Sequence, residues 1–195
     1  MKADTKHRVV FLRGKKTVLR PLHESDVPLL TKWINDPEVT QFLIANMPMM
    51  QIAEKKWVEG LVERKNEVVL MIETSAGVPI GVMAMHGINW VDGTTTTGAF
   101  IGEKEYWNCG FGTDAKMALL NYAFNTLNLR KICSRVIAFN KRSIAYSMHC
   151  GYVDDGVEKA QVFKKGAYHD VVNLALFKDA WLPYWEKYKK GLKKS

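Results

Sequence analysis

The sequence is short of cysteine, of long apolar runs and of linker-like segments, and each shortage excludes something. Three cysteines, Cys109, Cys133 and Cys150, stand among 195 residues, an odd number with no CxxC pair. That excludes a disulfide framework and a zinc ribbon. No apolar run approaches the roughly 20 residues that cross a bilayer. The first 20 residues are polar and basic, without the apolar segment of a signal peptide. No low-complexity linker, composition break or internal repeat divides the chain. At 47% hydrophobic and 25% charged residues, a chain of this length buries well over half of its unfolded surface. The expectation is one reduced, cytoplasmic, single-domain protein that needs neither disulfide nor structural metal.

What is present in excess is positive charge, a formal +8, and it is placed unevenly. Residues 1–16 hold Lys2, Lys6, Arg8, Arg13, Lys15 and Lys16 against Asp4, a local +5. Residues 187–195 hold Lys187, Lys189, Lys190, Lys193 and Lys194 with no acid, another +5, which leaves −2 for the body. The ends read as solvated basic tails that can touch an acidic partner such as RNA. Nothing in the pattern makes a dedicated nucleic-acid-binding fold or a membrane-binding segment. The expected organisation is a basic segment 1–16, one domain over 17–182 and a Lys-rich tail 183–195.

Periodicity supplies the elements. Thr17 to Leu22 reads as an opening strand, and His23 to Asp26 supplies capping residues. Val27, Leu29, Leu30, Trp33 and Ile34 then recur at helical spacing until Asp36-Pro37. Residues 38–50 are irregular, Gln51 to Arg64 is a second helix, and Glu67 to Thr74 is β-prone. Pro79 to Val91 and Thr94 to Gly102 are strands joined by the hairpin signal Asp92-Gly93. After a helix with the face Ala115, Ala118, Leu119, Tyr122 and Ala123, Lys131 to Phe139 is a strand, and a helix capped by Asn140 stops at Gly151. Val153 to Phe163 and Tyr168 to Phe177 close the chain as two strands. Interleaved helices and strands without a break indicate an α/β or α+β mixed sheet.

Two segments carry chemistry. Gly110-Phe111-Gly112-Thr113 lies between a β-rich run and a long helix. Its glycines let the backbone turn tightly and approach a ligand, and the first helical turn leaves amide hydrogens unpaired at the positive end of the dipole. That combination suits a pyrophosphate. A helix start that merely needs room is an equal reading of the same residues. GK[ST] is missing, so it is not a Walker loop, and GxGxxG fails at Lys116-Met117, so it is not a dinucleotide fingerprint. In the second segment Asn140, Ser143 and Ser147 share one helix face. They offer a polar track for an extended ligand arm, or simply a cap and a wet surface.

Together these segments resemble the GNAT superfamily of acetyl-CoA-dependent N-acetyltransferases, and within it the Rim-type, ribosomal-protein-alanine acetyltransferase-like subgroup. The resemblance runs from Leu19 to Leu22 (LRPL) through to the closing hairpin. The superfamily's [Q/R]xxGxG/A signature appears as Trp107-Asn108-Cys109-Gly110-Phe111-Gly112, with Trp in the first place as in that branch. The branch pattern G-x-x-I-G-x-x-x-Y-W-x-x-G-[FY]-[AG]-T-[DE]-A is met from Gly98 to Ala115. N-x-x-S-x-x-x-x-x-x-x-G-[FY] is met by Asn140, Ser143, Gly151 and Tyr152.

The resemblance implies a twisted, mostly antiparallel sheet of about seven strands with a splayed strand pair and flanking helices. The strand ending at Phe100, Ile101 and Gly102 would hold the pantetheine arm as a pseudo-strand. Residues 108–113 (Asn108, Cys109, Gly110, Phe111, Gly112 and Thr113), flanked by Trp107, would hold the pyrophosphate. Asn140 and Ser143 would meet the arm, and Lys141 or Arg142 the CoA phosphates. An amine would attack the thioester directly, with a base, polarising amides and an acid. The acceptor would be a protein N-terminus, amino sugar, aminoglycoside, polyamine or other small amine, with the basic ends favouring a ribosomal protein. Members of the family are often homodimers.

The sequence departs from the family at the catalytic positions. Thr96 stands where many relatives carry a glutamate base, and Ser147 where a tyrosine acid is common. Ser147 and its neighbour Tyr146 are the candidate proton donors. His86, Glu103, His169 and Asp170 are candidate bases, each with a structural reading beside it. For His86 that reading is a core position in line with Ile80, Val82, Ala84 and Ile88. Cys109 and Cys150 read as packing residues. Residues 36–50, the loop after the long strand and the hairpin near Tyr168 are expected around the acceptor, where Phe42, Met47, Met49, Met50 and Trp90 offer an apolar surface or simply core residues. The missing glutamate and tyrosine keep open a catalytically idle acyl-CoA-binding sensor of the same fold.

Overall fold

The computed structural model describes residues 9–190. Its strands are β1 (Leu12–Arg13), β2 (Thr17–Pro21), β3 (Val68–Thr74), β4 (Pro79–Asn89), β5 (Thr94–Ile101), β6 (Lys131–Ile137), β7 (Val153–Lys164) and β8 (Ala167–Phe177). Its helices are α1 (Val27–Ile34), α2 (Pro37–Thr40), α3 (Gln51–Gly60), α4 (Phe111–Asn121), α5 (Lys141–His149) and α6 (Lys178–Lys190). Among the described residues the strands form one eight-stranded sheet in the order β1-β2-β3-β4-β5-β6-β8-β7. The seven expected strands are present, and the two-residue β1 adds an eighth.

Every neighbouring pair is antiparallel except β5 and β6, and that exception creates the site. Their parallel pairing covers only Thr94 to Thr96 against Lys131 to Cys133. Beyond it β5 continues to Ile101 along β4, and β6 continues to Ile137 along β8. The two strands separate, and the backbone groups on their facing edges have no ladder partner across the gap.

The pleat sends alternate side chains to opposite faces. Leu70, Ile72, Met83 and Met85 pack beneath Ala115, Leu119 and Leu120 of α4. Met71 and Val82 point the other way, against Leu30 and Trp33 of α1. On β5, Thr95 and Thr97 are buried, while Phe100 meets Trp33 edge-on at 6.2 Å. The face carrying Thr96, Gly98 and Phe100 is therefore the α1 face.

The basic ends depart from the expectation. Lys178 to Lys190 is a helix, although the sequence pattern suggested a tail from residue 183. Its apolar residues recur at i, i+4 and i+7: Trp181 is fully buried, with Trp185 and Tyr188 packed on the core in a stack of 5.2 and 5.4 Å. At the other end, Lys15, Lys16 and Thr17 form the β1–β2 turn and bind Asp114. Residues 1–8 and 191–195 of the expected tails lie outside the described part.

Candidate active site

The gap between β5 and β6 opens into a cleft of about 650 Å³. One wall is the turn that leads into α4. Asn108 and Gly110 adopt left-handed backbone conformations, φ 61° and 81°, and α4 starts directly after them at Phe111, with its first residues on the cleft wall. Gly110 is the N-cap and supplies no side-chain cap. The amides of Phe111, Gly112 and Thr113 are the first three of the helix and have no intrahelical acceptor. A Cβ built on Gly112 would meet no protein atom within 4 Å, and all three residues line the cleft. The turn thus presents donors, a helix dipole and open space at one point.

Side chains fix that turn from outside. The Trp107 indole donates to Ile101 O at 2.8 Å, tying the turn to the end of β5. Asp114, buried in the first turn of α4, accepts from the amides of Lys15, Lys16 and Thr17, each at 2.9 Å. It also accepts from the Thr17 hydroxyl and Tyr188 OH, each at 2.7 Å. Gly14 must be glycine here, because a Cβ would stand 2.2 Å from Asp114 Oδ2. Lys16 then reaches the turn itself, with Nζ donating to Cys109 O at 2.9 Å.

The opposite wall comes from β6 and α5. Asn140 caps α5, its Oδ1 accepting from Ser143 N at 3.1 Å. Both residues line the cleft with Arg142, as do Phe100 and Ile101 of β5 and Trp107 and Asn108 of the turn. The Arg142 guanidinium lies 4.2 Å from the centre of the Trp107 ring and 5.3 Å from that of Phe42. Val39, Phe42, Leu43 and Ile44 form an apolar outer wall.

The sequence matches the acetyltransferase (GNAT) domain family over residues 16–153. The chain belongs to the GNAT acetyltransferase family. It is 26% identical over 175 residues to the uncharacterized N-acetyltransferase p20 of Bacillus licheniformis, covering 86% of this chain and 96% of that one. It is 28% identical over 101 residues to YdaF of Bacillus subtilis, provisionally named a ribosomal N-acetyltransferase, covering 52% and 55%. The fold matches the spermidine N-acetyltransferase of Vibrio cholerae, solved in complex with CoA and spermine, with a TM-score of 0.81 at 21% identity. That match spans 86% of this chain and 98% of the other. The co-substrate of the family is acetyl-CoA, and the donors, space and cations of the α4 turn fit its pyrophosphate.

Set out as a GNAT site, the sequence-derived residues divide. Three candidates for CoA contact do not line the cleft: Gly102, Cys109 and Lys141, the last exposed at the start of α5. Gly102 is buried, and its missing Cβ makes room for Trp33, whose ring atoms would stand 2.2 Å away. Cys109 faces solvent, its Sγ 3.3 Å from Trp107 O, and it serves the turn through its carbonyl. Of the two candidate acids, Tyr146 lines the cleft. Ser147 is fully buried and is not among the cleft residues, so its hydroxyl has no access to a departing thiolate.

The candidate bases divide too. Glu103 is engaged by Trp33 Nε1 at 2.9 Å and Lys32 Nζ at 2.7 Å. Asp170 is held by Ala160 N at 2.9 Å and Lys159 at 3.0 Å, and the Ala160 amide first of all lowers its pKa. His169 Nε2 lies 3.0 Å from Lys164 O. These three tie loops together. His86 differs from its expected core position: it is exposed and lines the cleft. Trp90, Met47 and Met50 are 57%, 80% and 70% exposed and lie off the cleft wall, while Val39, Phe42, Leu43 and Ile44 of the expected stretch 36–50 line it.

A buried cation lies behind β5, at a position that no sequence pattern marks. Lys116 of α4 is fully buried, donates to Thr97 Oγ1 at 2.7 Å, and lies 5.6 Å from the ring centres of both Tyr146 and Tyr152. Burial pushes its pKa down to about 8. Burial likewise raises the Tyr146 hydroxyl well above its ordinary value, so it stays protonated near neutrality. The Cys150 thiol is pushed up to about 12 by burial, which makes it inert as a nucleophile. Among the described residues no cluster of His, Cys, Asp or Glu suits a metal ion, and no helix is long and apolar enough to cross a membrane.

Proposed function

We propose that this chain acetylates a primary amine borne next to an apolar group, such as the N-terminal amine of a protein, in preference to a polyamine. The observation that carries the acceptor class is the composition of the wall: among the described residues lining the cleft there is no Asp or Glu, while Val39, Phe42, Leu43 and Ile44 supply an apolar flank. A polyamine keeps several cations in any pose, and each must leave water without a carboxylate to meet it. A single amine loses its charge before it attacks, and its apolar neighbour gains from burial.

In this reading the amides of Phe111, Gly112 and Thr113 bind the pyrophosphate. The free edge of β5 beyond Thr96 takes the pantetheine arm, with Asn140 and Ser143 beside it. Arg142 adds positive charge between the two walls. Tyr146, kept protonated by burial, is the proton donor to the departing thiolate. When bound, acetyl-CoA supplies the activated acyl group; the chain supplies position, polarisation and proton transfer.

The test is free-thiol release from acetyl-CoA with a panel of amines: peptides with free N-termini, arylalkylamines, an aminoglycoside and spermidine. A kcat/KM at least about tenfold higher for an amine beside an apolar group than for spermidine, a difference of about 1.4 kcal/mol, is expected. Preference for spermidine overturns the acceptor class.

A further inference from the structure

One imidazole stands beside the point where β5 and β6 part. His86 lies on β4 directly across from Thr96, the last β5 residue paired to β6, and it lines the cleft. Its two nitrogens face different neighbours. Nδ1 is 3.7 Å from Glu67 Oε2, an ion-pair distance somewhat longer than a hydrogen bond. Nε2 lies toward Gly98, where an added methyl would stand 3.5 Å from it, so glycine leaves that nitrogen uncovered on the cleft side. Arg64 Nη1 approaches the same Glu67 oxygen at 3.4 Å. Glu67 and Arg64, from the segment before β3, are the charged groups that face the ring; β5 presents uncharged Thr96 and Gly98. The other imidazole on the wall, His149, belongs to the last turn of α5, across the splay from β4.

We infer that His86 accepts the proton of the attacking amine and that Glu67 is the positioning residue that orients the ring. The assignment rests on the acetyl-transfer reading above. An imidazole is suited to the task because its ordinary titration falls near neutral pH, and a base oriented by a carboxylate on its second nitrogen is a recurrent catalytic arrangement that tightens when substrate binds. The substrate ammonium gives one proton to Nε2. The freed lone pair forms the C–N bond at the acetyl carbonyl carbon, and the C–S bond breaks with its electrons on sulfur. Tyr146 protonates the sulfur and recovers a proton from the nitrogen, and His86 releases its proton to water. One ammonium and one thioester become one amide, one thiol and one proton.

The experiment uses the full chain with the best amine of the panel. His86→Gln is expected to lower kcat about 100-fold and to abolish the fall in rate on the acid side, while the melting temperature and calorimetric CoA affinity stay at wild-type values. His86→Ala regains rate with added imidazole. Glu67→Gln is expected to lower kcat about tenfold and to shift the acid limb, which a merely structural role does not do. A folded His86→Gln enzyme with wild-type kcat and an unchanged pH profile overturns the assignment alone. If His86→Gln does not fold, absence of any kcat or pH effect in Glu67→Gln overturns it instead. A wild type inert toward every amine overturns the acetyl-transfer reading, and the assignment falls with it.

Discussion

The two walls of the cleft are made of different material. The α4 wall is main chain and missing side chains: three free amides, two residues at positive φ and an open position at Gly112. Buried polar bonds to Asp114 and Trp107 hold it from behind. The facing acceptor wall is side chain, with apolar residues of 39–44 and one imidazole from β4. Ile44 there is 65% exposed. A main-chain cradle binds whatever ends in a pyrophosphate and tolerates little change, whereas a side-chain wall is free to change with the acceptor. A fold shared at 21% identity with an enzyme solved with spermine therefore does not decide what the second wall accepts.

The largest effect is expected at Gly112. Gly112→Asp places a carboxylate in the proposed pyrophosphate cradle, yet an added Cβ meets no protein atom, so the fold is expected to be preserved. CoA binding should be abolished in calorimetry while the melting temperature stays within a few degrees. Retained affinity would show that the cradle is not where the nucleotide sits. Next comes the support behind it. Asp114→Ala strips the acceptor from three amides and two hydroxyls, a loss of about 3–5 kcal/mol. For a chain of this size that is a fall of roughly 10 °C in Tm. It also frees the first turn of α4, so CoA affinity should fall with stability. A stable variant with intact affinity would make the two layers of this wall independent.

The same contrast explains what the sequence made legible. The α4 turn is a local pattern, a glycine turn running straight into a helix start, and Asn140 is a second local signal, the cap of α5; each reads from sequence as a candidate binding segment, and of residues 107–113 all but Cys109 line the cleft. The proposed acceptor wall joins one contiguous stretch, 39–44, within the irregular segment that the sequence marks out, to His86 of β4, and no periodicity reports that juxtaposition. His86 was misplaced because strand alternation gives the face but not what covers it. The helices on that face pack over Met71 and Val82 and leave His86 exposed. α6 was lost for another reason: its lysines read as a tail, although Trp181, Trp185 and Tyr188 repeat at helical spacing. Lys116 gave no sign, because a lone lysine on a helix normally faces water.

Behind the cradle wall, Lys116 offers a test with a defined sign. Its folded-state pKa of about 8 lies below its ordinary 10.5, so the unfolded chain binds more protons between those values. Folding therefore carries the full desolvation cost below pH 8, and wild-type stability recovers as pH rises toward 10.5. In Lys116→Met, Thr97 keeps Tyr152 OH at 3.0 Å and Cys133 O at 3.1 Å as partners. The variant is expected to be more stable than wild type at pH 7, by on the order of 2–3 kcal/mol, with the difference shrinking by pH 10. Denaturant unfolding at both pH values reads it. A variant less stable at both would mean that the bond to Thr97 outweighs desolvation.

The smallest effect is expected where the two walls touch. Arg142 lies over Trp107 on the cofactor side and near Phe42 on the acceptor side, and burial lowers its pKa without removing its charge at neutral pH. A cation–π contact of this kind contributes about 0.5–1 kcal/mol, so Arg142→Ala should raise KM for acetyl-CoA and KM for the amine by roughly two- to fivefold each, with kcat nearly unchanged. Leu43→Ala trims only the apolar flank and should raise the amine KM alone. If Arg142→Ala instead moves only the acetyl-CoA value, the guanidinium belongs to the cradle and the walls act separately. If it moves both, positioning of the acceptor depends on a side chain that is itself packed on the cofactor turn, and acceptor affinity should then rise when CoA is bound.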